Sequence, residues 1–454
     1  MSITTTTRWV VALFVAALCA NARELPEGYL RAEWIRGDGI AARIVTDYTP
    51  TPLNDQIRAE VSFPSTADET DFTVDAIPTQ AYLGSPVTPS VVVRDAGTGA
   101  VLNGSEYNLV CYSNDAPGTA RAVITGTGSH TGLVATTFGI GRVLRVTPDA
   151  MPDGNGMSWT NEVYVGYTNA PMSITEAVKT AIDNDFIICK AGEFIVTNQF
   201  SFSTAVTIRG GYAGTDDTTL AADPFSTLNA TNDSGIAAIF TVANAAGKAV
   251  RLENLVLTRG GRGLVKTGAG DIGLYNCGFI GNRARSSNLN GIGVSLTGSA
   301  TTHAVISNCV IAGNTSGYTT FGNGQGLYLS TFAGVRIEDT LFVTNGIAWT
   351  GANFWNEGRD GQVASAIYVT GAPVTAKRCR FFANRGSCYS SRGSTVRVCG
   401  ASGGSRFEHC RWVGNDEDYH WFDTSTPSGG SYSGQLVLDL ANATDEVVVD
   451  QCTV

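Results

Sequence analysis

The stretch Ser307-Asn308-Cys309-Val310-Ile311-Ala312-Gly313-Asn314 decides the fold, because it recurs. Tyr275-Asn276-Cys277-Gly278-Phe279-Ile280-Gly281-Asn282 precedes it, and Glu338-Asp339-Thr340-Leu341-Phe342-Val343-Thr344-Asn345 follows. Arg378-Cys379-Arg380-Phe381-Phe382-Ala383-Asn384 and His409-Cys410-Arg411-Trp412-Val413-Gly414-Asn415 complete the series, and in all five blocks a Cys or Thr lies five positions before an Asn. Asn254-Leu255-Val256-Leu257 is a degenerate earlier copy and Asp450-Gln451-Cys452-Thr453-Val454 a shortened last one.

Between copies lies a second apolar strand, as in Gly291-Ile292-Gly293-Val294-Ser295-Leu296, Gly324-Gln325-Gly326-Leu327-Tyr328-Leu329, Ala364-Ser365-Ala366-Ile367-Tyr368-Val369 and Leu436-Val437-Leu438-Asp439-Leu440. Each unit thus holds at least two strands of period two in 22 to 42 residues, too little to bury an apolar face alone. Stacking units in register gives every strand a parallel neighbour on each side and one continuous core. The expected architecture is all-β: a parallel β-helix. The recurring Asn is read as the residue at its sharp corner, taking the left-handed conformation and bonding to its copy on the next coil. Stacking sets Cys277 beside Cys309 and Cys379 beside Cys410; a ladder of buried thiols is favoured over cross-coil disulfides.

Composition agrees. The chain has 454 residues, 53 of them Gly, only 15% charged, with 30 Lys and Arg against 40 Asp and Glu for a net charge of -10. That balance argues against a nucleic-acid partner, since phosphate would be repelled. Polar residues and Arg8, then the apolar run Trp9 to Cys19, then Ala20-Asn21-Ala22, read as a secretory signal over 1–22. No later stretch is long and apolar enough for a transmembrane helix. The expected location is secreted or cell-surface. Ten Cys less Cys19 leaves nine in the mature chain, an odd number that argues against a complete disulfide framework.

Ser173-Ile174-Thr175-Glu176 has the form of a capping box, and Ile174, Val178 and Ile182 recur at a spacing of four. A helix is therefore expected to plug the open end of the solenoid. Beyond it come Asp185 to Phe194 and Val206-Thr207-Ile208-Arg209-Gly210-Gly211-Tyr212-Ala213-Gly214-Thr215-Asp216. This entry, followed by the Asn-Cys-x-Phe coils, resembles the right-handed parallel β-helix proteins of bacterial surfaces in the pectin-lyase-like superfamily, which includes autotransporter passengers and polymorphic outer-membrane proteins. The resemblance covers about residues 158–454 and implies the fold, with the solenoid expected over 155–454; the superfamily carries lyases, hydrolases and adhesins alike.

Residues 76–145 hold short strands with turn signals, from Ala81-Tyr82-Leu83-Gly84 to Gly118-Thr119-Ala120-Arg121-Ala122-Val123-Ile124. They resemble an Ig-like β-sandwich module used as a spacer in bacterial surface proteins, with His130 where that pattern has an aromatic. Within 23–75, Tyr29 to Ile35 and Asp47-Tyr48-Thr49-Pro50 resemble the opening strands of a concanavalin-type jelly roll, read as a remnant or linker.

Enzymes of the superfamily use clustered carboxylates on Ca²⁺, or paired carboxylates and the motifs N-T-D, D-D, G-H-G and R-I-K. The chain has no G-H-G, and Arg336-Ile337-Glu338 departs from R-I-K at its third position. Asp216-Asp217 stands without a partner motif and reads as a solvated turn. His130, His303, His409 and His420 show no zinc-ligand spacing, so no catalytic or metal-binding residue is assigned.

The candidate ligand residues lie in two long loops. One, after Asn345, carries Trp349, Phe354 and Trp355; the other, after Asn415, carries Asp416, Asp418, Tyr419 and Trp421. Their bases lie two coils apart, roughly 10 Å. Aromatic faces beside carboxylates suit sugar rings; the same aromatics could instead fold back and seal the wall. The expected function is a noncatalytic adhesion or glycan-binding protein, its partner a polysaccharide or host or cell-surface glycan. The alternatives are a polysaccharide lyase or glycoside hydrolase, with Ca²⁺ as cofactor only in that case, and a plain stalk. The last strand ends inside a coil, from which a truncated C-terminus is expected.

Overall fold

The computed structural model describes residues 31–34, 42–45, 70–150 and 154–453, the last span apart from 161, 165–166, 232–235, 285–288, 317–321, 348–363, 389–393, 401–403, 420–433 and 441–446. The expected signal segment lies outside these residues. Of the jelly-roll stretch, Arg31–Trp34 and Ala42–Val45 pair antiparallel.

Residues 70–141 form a small sandwich. Phe72–Val74 pairs antiparallel with Val93–Asp95, and the second sheet runs Gln80–Ala81, Leu133–Gly141, Gly118–Gly126, Tyr107–Tyr112. Alternation along Gly118–Gly126 turns Ala120, Ala122 and Ile124 inward against Phe72, Val93, Phe138 and Ile140. The solenoid starts earlier than the expected residue 155. Val143–Val146 pairs parallel with Phe186–Lys190 and is the first strand of a ten-stranded solenoid sheet. One residue, Arg142, separates it from the sandwich, and its guanidinium grips the buried Asp185 carboxylate through Nε at 3.0 Å and Nη2 at 2.5 Å. Asn184, in the left-handed region at φ 76°, presses its carbonyl where any side chain on Gly141 would sit.

From there the chain winds as a parallel β-helix. Each complete coil visits the ten-stranded sheet, then an eight-stranded sheet running from Gly192–Val196 to Arg411–Val413, and then a second eight-stranded sheet from Phe200–Phe202 to Gly434–Leu440. The later coils add a short strand between the two eight-stranded sheets. The strand Ser394–Gly400 in the last of these sheets is one the sequence reading passed over. Every pairing within these four sheets is parallel, and apolar inward residues stack in columns from coil to coil. Leu252, Leu274, Ile306, Ile337, Ala376 and Phe407 form one buried inner column. Phe279, Ile311, Phe342, Phe381 and Trp412 form another, whose last three rings stack with centroids 5.0 and 4.9 Å apart. Such columns bury the core while the parallel ladders pair the strand backbones of neighbouring coils.

The corners correct one expectation. The recurring Asn residues are not the left-handed ones. Those are the residues just before them, Gly281, Gly313, Thr344, Ala383 and Gly414, and the residues before the Cys or Thr, namely Asn276, Asn308, Asp339, Arg378 and His409. The recurring Asn is instead a linear hydrogen-bond carrier. Asn282, Asn314, Asn345 and Asn384 each donate through Nδ2 to Oδ1 of the next Asn, at 2.9–3.0 Å, ending at Asn415. The second Nδ2 hydrogen reaches a carbonyl of the preceding coil, as in Asn345 to Ile311 at 2.7 Å, and Oδ1 also accepts the backbone N–H of the preceding Asn. Each buried amide in the middle of this ladder is therefore satisfied on both ends. A second, outer ladder joins Asn254, Asn276 and Asn308. The ladder cysteines behave as expected: Cys277, Cys309, Cys379 and Cys410 are buried thiols without disulfides, each Sγ pointing at carbonyls of its own corner and the preceding coil.

The helix forms over Ile174–Thr180, with the Ser173 hydroxyl accepting from the Glu176 N–H, and buries Ile174, Ala177 and Val178 against the first coil. Ile182 does not join this face. The helix stops at Ala181, which turns extended, and Ile182 is 56% exposed.

Replacing Asn345 by Ala would leave the side-chain and backbone N–H groups of Asn314 without their Asn345 acceptor and take one donor each from the Ile311 carbonyl and the Asn384 oxygen, in a buried ladder. The expected loss is roughly 3 kcal/mol of unfolding free energy in urea titration, with a far smaller loss for the same change at the outer-ladder residue Asn308.

Candidate functional site

The short fourth sheet holds three of the expected ligand residues, Asp416, Asp418 and Tyr419. Its strands Arg283–Ala284, Thr315–Ser316, Gly346–Ile347, Arg385–Cys388 and Asp416–Tyr419 each follow directly on a ladder Asn. Gly346 pairs with Arg385, and Arg385 with Asp416, so the segments leaving Ile347 and Tyr419 start from one corner, two strands apart. Asp416, Asp418 and Tyr419 stand opposite Arg385, Ser387 and Cys388. Trp349, Phe354, Trp355 and Trp421 lie outside the described residues.

A largely buried cluster of ionic side chains that the sequence reading did not identify lies elsewhere, on the outer face of the ten-stranded sheet. Arg209 pairs with Glu253 in register, and Glu253 with Tyr275. Glu253 is nearly buried. Its Oε2 accepts from Arg209 Nε at 2.6 Å, its Oε1 from Arg251, and the Arg251 guanidinium lies 3.9 Å over the Tyr275 ring. With both oxygens committed to cations, this carboxylate ties its own coil to the preceding one. Burial pushes the Tyr212 and Tyr275 hydroxyls up, so both stay neutral. The alternating charges that make the cluster are set by strand register, which a single strand's sequence does not display.

Asp217 also corrects an expectation. It is no solvated turn residue: its carboxylate takes the Arg145 guanidinium and, at 2.8 Å, the Trp159 indole N–H. Asp216 does shape a turn, accepting from the Thr219 and Thr218 hydroxyls and N–H groups, which hold it well below the usual carboxylate range. Among the histidines, His130 is wedged in the sandwich between Asp71 and Glu106 at 3.6 and 3.7 Å, His303 faces Asp271, and His409 occupies a left-handed corner. Among the described residues no group of three or more His, Cys, Asp or Glu is placed to hold a metal ion, and no helix is long and apolar enough to cross a membrane.

No family model and no curated protein matches the chain. Among solved structures it is similar to pectate lyase Pel9A at 15% identity over 67% of this chain and 78% of that one, TM-score 0.38. An alginate lyase from Paenibacillus sp. str. FPU-7 gives 12%, 59%, 96% and 0.28 in the same order, and a pectin methylesterase from Aspergillus niger 13%, 61%, 85% and 0.30. The chain is a parallel β-helix by its own strand pairing.

Buried reactive groups are the remaining candidates for chemistry. Burial pushes the Cys189 thiol up to about 12 and those of Cys277 and Cys379 well above their ordinary range, which makes them inert as nucleophiles. Lys266 is unusual. Its register places it in an inner column between Val242 and Leu296, and its Nζ bends to the corner, donating to the carbonyls of Gly268 at 2.6 Å and Thr297 at 3.3 Å. Burial lowers it from 10.5 to about 8. Between those two pH values the unfolded chain binds a proton that the folded chain does not, so the lysine's penalty on folding is full below pH 8 and fades as pH rises. Relative to Lys266→Met, the wild type should therefore gain up to about 3 kcal/mol of unfolding free energy as pH is raised across this window, read by denaturant titration of both proteins.

Proposed function

We propose that this chain is an exported, noncatalytic binding protein whose β-helix displays a glycan-binding corner and whose sandwich acts as a spacer. The observation that carries this reading is the fourth sheet, in which the strands that precede the two aromatic-rich segments, ending at Ile347 and Tyr419, lie two coils apart on one corner. Their sequences supply Trp349, Phe354, Trp355 and Trp421 for stacking on the C–H faces of sugar rings, and Asp416, Asp418 and Tyr419 for the hydroxyls. The ladder Asn beneath each segment fixes its point of departure, so the cost of ordering the bases of the loops is met before any ligand arrives. The described outer face supports the same assignment, because its most enclosed carboxylate, Glu253, is spent on arginines.

Replacing Trp355 and Trp421 together by Ala should weaken retention on a glycan array about tenfold or more and leave the thermal unfolding midpoint unchanged. Retention equal to wild type on every glycan that binds would remove the site. Bond cleavage of pectin, alginate or a glycosaminoglycan in the presence of Ca²⁺ would move the assignment to a polysaccharide lyase or hydrolase.

A further inference from the structure

In the four-stranded sheet of the sandwich, Tyr107–Tyr112 is the last strand. Gly118–Gly126 pairs with one side of it, and among the described residues no strand pairs with the other. Its sequence, Tyr107-Asn108-Leu109-Val110-Cys111-Tyr112, holds no charge and no Pro. Its register runs without a bulge from Tyr107 opposite Gly126 to Tyr112 opposite Arg121. Charge, Pro and bulges are what ordinarily blunt an edge strand, so this edge is left open to another strand.

Alternation along the strand is strict. Leu109 and Cys111 turn inward onto the sandwich core, while Val110 and Tyr112 turn outward, 48% and 55% exposed. Register carries the outward rows across the sheet. Val110 lies beside Val123 and Val123 beside Ala135, with Tyr112 beside Arg121 in the row on one side and Asn108 beside Thr125 in the row on the other. Arg121 is the one charged residue in these three rows.

Geometry and charge together select the partner. A strand that pairs with its own copy about a twofold axis runs antiparallel to it, the sense in which this strand already pairs with Gly118–Gly126. With the axis at Val110, Val110 faces itself, Tyr112 faces Asn108 and Leu109 faces Cys111. Outward residues meet outward ones and inward residues inward ones, so both the apolar row and the core continue across the joint. Two chains of net charge -10 repel each other over most of their surface, and neither strand brings a carboxylate to this joint. A charged peptide would find Arg121 alone to pair with. The solenoid does not obstruct the approach. It meets the sheet at Thr79 and Gly139, through Asn184, beyond the Tyr112 end of the edge strand, and the twofold axis carries the second solenoid beyond the opposite end. We infer that Tyr107–Tyr112 docks against the same strand of a second copy of this chain, joining two sandwich sheets into one and pointing the two solenoids apart.

The test is sedimentation velocity of the full chain over about 1 to 100 μM, because one strand pairing lies at the small end of stable interfaces and gives a reversible dimer of roughly micromolar affinity. Added salt should strengthen the dimer, since the joint itself is uncharged and the repulsion between copies is screened. Val110→Lys sets like charges against each other across the axis and should weaken association about tenfold or more. Val110→Thr should retain it. Ala135→Lys, on the same face but two strands in from the edge, should retain it as well, each variant keeping the wild-type thermal midpoint. A chain that stays monomeric through this range overturns the inference, as does a dimer that folded Val110→Lys leaves intact. So does a dimer that Ala135→Lys abolishes, which places the contact on the sheet's face, or one that salt dissolves, which places it on an ionic surface.

Discussion

A coil that repeats must place the same polar group at the same corner on every turn, and the buried asparagine ladder meets that condition here. A primary amide can donate upward through its nitrogen and accept downward through its oxygen, and still has a second N–H for a backbone carbonyl. Placed at each turn between two sheets, it converts what would be a row of unpaired corner N–H and C=O groups into a continuous chain of bonds through the interior. The strand register on either side follows from it. A slip of one residue would break the ladder and move the inward Phe279, Phe342 and Phe381 to the outer face.

The repeat was legible because both of its markers are constrained from inside. Asn282 through Asn415 must be amides, and the position that Cys277, Cys309, Cys379 and Cys410 share must be small. Thr340 fills that position on the intervening coil, its hydroxyl bonded to the Glu338 carbonyl. What the pattern concealed was which residue bends. The left-handed conformation falls on Gly281 and Gly313 but also on Thr344 and Ala383, so no residue type marks it. The outer-face clusters were hidden for a different reason. Arg209 and Glu253 are 44 residues apart, and only the stacking distance between coils makes them partners. Val143–Val146 looked like the end of the sandwich because its alternation continues that of the strand before it.

The candidate site was legible only as composition. The aromatic and acidic runs after Asn345 and Asn415 stand out in a chain otherwise rich in small residues, and the structure adds that both begin on one narrow sheet. Inward positions of this fold have almost no freedom, as the inert thiols and the bent Lys266 side chain show. Outward positions and corner insertions have a great deal. Recognition in such a scaffold is therefore a property of what is hung on the outside.

The single-residue passage from sandwich to solenoid has a mechanical meaning. With Arg142 locked onto Asp185 and Asn184 filling the space over Gly139 and Gly141, there is no swivel between the two bodies. A pull on the sandwich would load the Arg142–Asp185 pair and the first strand of the solenoid directly, since only one residue lies between the two strands.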